Sequence, residues 1–203
     1  FHSSGHYYMT VNTMDDCDLL TAYARERSEA AFAMLVGRYV DLVYSAALRQ
    51  LGDPEQARDV SQAVFLLLAR KAGSLKSGTL LSGWLYRTAR FVALEAARAE
   101  SRRKRREESI AHMNTDNSHT PEDLWKDVAP SIDSAMEQLN ESDRAAVLLR
   151  FFHGRSLREL AGLLGVTEEA AKRRVTRALE RLRQVLGRQG ITSSSSMLGA
   201  ALA

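Results

Sequence analysis

A single cysteine, Cys17, stands in a chain of 203 residues. No internal disulfide can form, and a reducing, cytoplasmic setting is the expectation. Proline is scarce too, with three in the whole chain. Together with the lack of long β-branched runs, this favours helix over sheet. The five histidines, His2, His6, His112, His119 and His153, are scattered and have one cysteine for company. They offer no metal-ligand spacing, so neither a metal nor another cofactor is expected. No run reaches the roughly 18 apolar residues of a membrane span, so no spanning segment is expected. A Gly-rich phosphate loop is missing as well. Asp15, Asp16 and Asp18 have no His or Glu at a metal-binding spacing. These gaps speak against a DNA-processing enzyme, and a non-enzymatic role is expected.

What is present can fold. The hydrophobic share is 45%, enough for a packed core in one large or two small domains. The opening FHSSGHYY reads as an expression remnant, with the natural start at Met9 or Met14 and residues 1–13 outside the fold. Helices are expected from Asp15 to Arg25 and from Ser28 to about Leu51, the latter with Phe32, Leu35, Tyr39, Val43, Ala46 and Ala47 on one stripe. In GDPEQ, Asp53 caps a third helix, Pro54 takes its first position, and Gln56 reaches back. That helix runs to about Lys71. AGSLKSGTLLSG is a loop. Ser82 starts a fourth helix. From about 108 to 130 the pattern stops, and this stretch reads as a flexible linker. Four further helices follow: Ser131 to Leu139, Asp143 to Phe152, Ser156 to Leu164, and Thr167 to Leu186. Residues 188–203 are a C-terminal extension with a serine run. The fold class is therefore all-α, with two small helical domains, 14–107 and 131–187.

The second domain contains the clearest local signal. Ser156 and Glu159 form a capping box, Gly165 permits a left-handed helix end, and Thr167 caps the next helix. Two helices joined by a short Gly-containing turn are a helix-turn-helix. At 100° per residue, Ala171, Val175, Ala178, Leu182 and Val185 share a core face. Glu169, Lys172, Arg173, Thr176 and Arg177 lie on or beside the opposite face. From Glu168 to Arg188 there are seven basic and three acidic residues, a balance of +4. Such a helix suits a major groove, where arginine reads guanine edges and lysine or threonine holds phosphates or bases.

The fourth helix repeats the arithmetic. Leu85, Ala89, Val92, Ala96 and Ala99 form a core stripe. Arg87, Arg90, Leu94, Arg98, Ser101 and Arg105 line the other side, and Arg102 to Arg106 are five consecutive basic residues. Trp84 and Phe91 flank this basic stripe. Clustered arginines reward phosphate contact through counterion release, and interleaved aromatics stack on exposed bases. On the third helix, Val60, Val64, Leu67 and Leu68 face the core, which turns Phe65 and Leu66 towards a polar face. Exposed apolar residues rimmed by polar ones mark a partner site.

The order of these parts resembles bacterial RNA polymerase sigma factors of the sigma-70 family, extracytoplasmic-function type. GDPEQARDVSQAVFLLLARK, SGWLYRTARFVALEAARAESRRK and AMEQLNESDRAAVLLRFFHGRSLRELAGLLGVTEEAAKRRVTRALERLR carry the resemblance, over about Asp16 to Leu186. It implies a protein that directs core RNA polymerase to promoters. Arg58, Asp59, Gln62, Phe65 and Leu66 would dock on the clamp of the beta-prime subunit. Trp84, Arg87, Arg90, Phe91, Arg98, Arg102 and Arg105 would read and open the −10 element. Glu169, Lys172, Arg173, Thr176 and Arg177 would read the −35 duplex in a domain that sits at the beta flap. The loop from Gly73 to Ser82 matches the family loop that holds a flipped base. Promoter DNA and core polymerase are the implied partners, with an anti-sigma factor as a further candidate. The acidic balance of the linker suits a basic channel. Two residues depart from the family pattern: Ala63 replaces a common acidic residue, and Phe91 replaces a common polar one. The rival reading from the residues alone is a stand-alone helix-turn-helix regulator with a helical sensing or dimerisation domain.

Overall fold

The computed structural model describes residues 15–76, 78–108 and 131–191. The expected linker from 109 onward and the extension from 192 lie outside the described residues. The first domain begins with α1 (Asp16–Glu26), whose N-cap Asp15 accepts from the Asp18 N–H at 2.8 Å. Ser28 caps α2 (Glu29–Leu51), and Gly52 ends it at φ 65°, a conformation that costs glycine nothing. Asp53 then caps α3 (Pro54–Lys71), accepting from the N–H groups of Glu55 and Gln56, while the Gln56 amide donates to its second oxygen at 3.2 Å. Those backbone bonds hold the Asp53 carboxyl below the usual carboxylate range. A 3₁₀ turn over Ala72–Ser74 leads into the loop and then to α4 (Leu81–Glu108).

Helix α2 is the spine of this domain. Leu35, Tyr39, Leu42, Val43, Ala46 and Ala47 are buried against α3 and α4. This helix corrects one expectation. By length and hydropathy, Glu29–Leu51 is apolar enough to cross a membrane. Its apolar side is spent instead on the core, as a central helix requires. The start of α4 differs as well. The helix begins at Leu81, and Ser82 is buried with its hydroxyl unpartnered rather than capping. Ala93 is buried, whereas Ala99 is exposed because α4 has by then run past the end of the core.

The second domain comprises α5 (over 131–137), α6 (Glu141–Val147), a π turn over Leu148–Phe152, α7 (Leu157–Leu164) and α8 (Glu168–Arg188). Asn140 caps α6, so this helix starts earlier than the sequence pattern predicts. Arg144 is buried, and its guanidinium donates to the carbonyls of Met136, Glu137 and Leu139 at 2.8–3.0 Å. It thereby satisfies the orphan carbonyls where α5 ends. Burial pushes the Arg144 pKa down, yet its acceptors are three oriented dipoles.

The two domains share a core. Ile132, Met136, Leu139, Val147, Leu148, Leu182, Val185 and Leu186 belong to the same buried cluster as Leu35, Leu42, Leu85 and Ala89. A second, smaller cluster of Ala146, Leu149, Leu160, Ala161, Ala171 and Val175 lies inside the helix-turn-helix.

Candidate nucleic-acid and polymerase interfaces

The helix-turn-helix forms where its caps place it. The Ser156 hydroxyl accepts from the Glu159 N–H at 3.2 Å, and the Glu159 carboxylate accepts from the Ser156 N–H at 2.8 Å. These bonds pull the Glu159 pKa down. Gly165 turns at φ 63°, and Thr167 accepts from the Ala170 N–H. Ala171, Val175, Ala178, Leu182 and Val185 are all buried, joined by Leu186. Their burial fixes the rotation of α8 and leaves Glu169, Lys172, Arg173, Thr176 and Arg177 exposed.

These five residues are not equally free. Arg173 pairs only with Glu169 one turn away, at 3.3 Å, and an exposed pair of this kind holds weakly. Arg177 reaches Asp143 on α6 at 2.8 Å, and Arg174 approaches the same oxygen at 3.7 Å. The hydrogen bond that Arg177 donates to Asp143, with the carboxylate charge, raises the Arg177 pKa. Arg177 therefore tethers α8 to α6 while its side chain remains largely exposed.

Helix α4 divides into two halves. In the distal half, Arg98, Arg102 and Arg105 are exposed, and Arg98 pairs within the helix with Glu95 at 2.7 Å. Phe91 is 67% exposed. The proximal half differs from the uniform stripe read in the sequence. Trp84 is half-buried and packed on the core. Arg87 pairs with Glu141 at 3.2 Å. Arg90 is buried, with its Nε on Glu137 at 2.6 Å. Periodicity could not show this, because the covering carboxylates come from the second domain.

On α3, Arg58, Asp59, Gln62 and Leu66 are exposed, and Leu66 is a large apolar residue facing solvent. Phe65 is a correction: it is buried, and Leu67 is the half-buried one. The buried face is wider than the stripe read from the sequence: it keeps Val60, Val64 and Leu68 and adds Ala57, Ser61 and Phe65. Ser61 is buried with its hydroxyl donating to the Ala57 carbonyl at 2.7 Å. A serine on a helical wheel looks like solvent face, but a back-bonded one satisfies itself and enters the core. In the loop, Gly78 turns at φ 81° and Thr79 closes on the Lys76 carbonyl. No metal-holding group of three acidic, His or Cys side chains occurs among the described residues.

Several site residues escaped the sequence reading. Asp133 on α5 is fully buried. It accepts from Gln50 at 2.7 Å, from Arg49 at 3.3 Å, and from the Tyr86 hydroxyl. Burial, with the Asp133 charge beside it, raises the Tyr86 pKa. The spacing of Asp133, Glu137 and Glu141, four residues apart, was the available signal.

Comparison with known proteins adds two family matches. Sigma-70 region 2 matches residues 35–103, and Sigma-70, region 4 matches residues 130–182. The RNA polymerase sigma factor CarQ of Myxococcus xanthus is 31% identical over 166 residues, 80% of this chain and 93% of its own. The ECF RNA polymerase sigma factor SigE of Mycolicibacterium smegmatis is 28% identical over 80% of this chain and 64% of its own, longer chain. Among solved structures, the sigma factor RpoE in complex with the anti-sigma factor NepR from Bartonella quintana is 21% identical over 77% of this chain and 96% of that one, with a TM-score of 0.37.

Proposed function

Because this chain belongs to the sigma-70 family, extracytoplasmic-function type, and is a promoter-directing sigma factor, we propose that its two domains divide the promoter between them. Residues 131–187 hold the −35 duplex, with Lys172, Arg173, Thr176 and Arg177 at the groove and Glu169 setting Arg173. Residues 14–107 open the −10 element, with Arg98, Arg102 and Arg105 on phosphates and Phe91 stacking on an unpaired base. Trp84, Arg87 and Arg90 complete that surface once the second domain moves away. Arg58, Asp59, Gln62 and Leu66 dock on the beta-prime clamp of core polymerase, and the second domain meets the beta flap. An anti-sigma factor is a further partner, and the working compartment is the cytoplasm.

The observation that supports this most is the pairing, in one chain, of a capped helix-turn-helix with a basic α4 carrying an exposed Phe91. Duplex reading needs the former, and capture of unpaired bases needs the latter. The stand-alone regulator accounts for the helix-turn-helix and leaves the region 2 match unexplained. Transcription in vitro with core polymerase tests the proposal. The chain should confer promoter-specific initiation on core. A chain that neither binds core nor starts transcription would reject it.

A further inference from the structure

The two elements that this protein addresses lie about 25 base pairs apart by their names, roughly 85 Å along B-DNA. A compact chain of this length has a radius of gyration of about 17 Å. With its domains joined by one core, the protein cannot touch both elements at once. The contacts that hold it shut are therefore informative.

They are of one electrical sense. In the hydrogen bonds that join the domains among the described residues, the carboxylates come from the second domain and the donors from the first. Asp133 takes Arg49, Gln50 and Tyr86; Glu137 takes Arg90; Glu141 takes Arg87. The three acids are four residues apart in sequence, as charges on one face of a helix would be. Two of the arginines belong to the promoter-facing stripe of α4. Under this stripe the donors outnumber their acceptors. Arg49 Nη2 and Arg90 Nη1 are buried and have no hydrogen-bond partner, and both side chains are about nine-tenths buried. Unspent buried donors are costly and call for an anion with more reach. A phosphodiester fits: it bears a full charge, and its oxygens stand out of any one plane, unlike those of a flat carboxylate.

We propose that Arg49, Gln50, Tyr86 and Arg90 form a backbone-phosphate subsite of the −10 interface, which the Asp133 and Glu137 carboxylates occupy as phosphate mimics while the chain is closed. The inference rests on the −10 reading of α4. In the closed chain the subsite is filled and the promoter surface is half covered. Polymerase and DNA draw the domains apart, and a phosphate replaces the carboxylate.

Two measurements on the full chain test it. Bound to core polymerase, Arg49→Gln should weaken binding of a short random-sequence single-stranded DNA several-fold. It should also flatten the plot of log affinity against log salt by about 0.7, one phosphate contact. In the free chain, E137Q/E141Q, at two half-exposed positions, should enlarge the radius of gyration in X-ray scattering and raise affinity for the same probe several-fold. An unchanged salt slope in the first case, or unchanged size and affinity in the second, overturns the proposal. R98A/R102A in the same holoenzyme assay separates the two failures. If that variant loses affinity while Arg49→Gln does not, only the subsite falls; if neither does, the −10 reading of α4 falls and takes the subsite with it.

Discussion

Helix α8 buries one clean face, Ala171 and Val175 inside the helix-turn-helix and Leu182, Val185 and Leu186 in the shared core, and leaves Lys172, Arg173 and Thr176 in solvent, whereas α4 surrenders Arg90 to burial and Arg87 to the other domain. Both helices are basic, and both were read by the same periodicity. The difference is in what each packs on. The rotation of α8 is set by neighbours near in sequence, through caps at Ser156 and Thr167 and the small cluster around Leu160 and Val175. The proximal half of α4 is covered by residues some fifty positions downstream, and its distal half extends beyond the core. Of the two surfaces proposed to meet DNA, one is thus complete in the closed chain, and the other is divided into an available end and a covered end.

The largest expected effect separates anchoring from surface. Leu182→Ala removes a fully buried side chain of α8 from the shared core and should cost about 2–5 kcal/mol in urea unfolding. Arg102→Ala on exposed α4 should change stability by less than about 0.5 kcal/mol. Equal losses would erase the distinction drawn between the two helices. Next comes the carrier of the covering carboxylates. Arg144→Met strips three carbonyls of their donor and should cost about 2–3 kcal/mol. Hydrogen exchange should show α5 losing protection before α8 does. Simultaneous loss would mean that α5 is held by its apolar contacts alone.

A smaller effect concerns DNA. Arg173→Ala should lower preference for the −35 element on the order of ten- to a hundredfold, through one base pair, with unfolding unaltered. Arg177→Ala should also loosen α6, because Arg177 anchors to Asp143. If Arg173→Ala weakens all sequences alike, that side chain holds phosphate rather than a base.

The contrast between the helices also explains what the sequence could disclose. Caps and short-range stripes were legible at Ser28, Asp53, Ser156, Gly165 and Thr167, because each acts within a turn of itself. The core face of α8 was legible for the same reason. The core stripe read on α3 was too narrow and left Phe65 on the surface; the buried face also takes in Ser61, whose hydroxyl is satisfied by the preceding turn. Asp133 left only its four-residue spacing to Glu137 and Glu141 as a signal, and the burial of Arg90 left none, because their partners are placed by the packing of one domain on the other, which no local period encodes. Arg144 was missed for a nearer reason: its acceptors are the carbonyls where α5 ends, and an arginine on a helical wheel reads as solvent face.

The smallest effect tests the seam between the domains. His153, at the end of the π turn, packs edge-on against Tyr39 of α2 with ring centroids 4.9 Å apart. Its Nε2 is buried without a partner. Burial is the main cause holding its pKa below the ordinary 6.5. Asp16 opposes that shift, while Arg155 and Arg38 add to it. The folded chain therefore binds fewer protons here than the unfolded chain does. The resulting stability is full above about pH 6.5 and declines as pH falls through that value towards the folded pKa. Asp53 acts in a lower window, since its depressed carboxyl loses its contribution only as pH falls below the carboxylate range. Thermal melts of the wild type should thus weaken in two steps on acidification. His153→Phe should remove the upper step, and Asp53→Asn should shrink the lower, which Glu100 and Glu159 share. A His153→Phe variant that retains the upper step would place the acid sensitivity elsewhere, and the domain seam would then be indifferent to pH in this range.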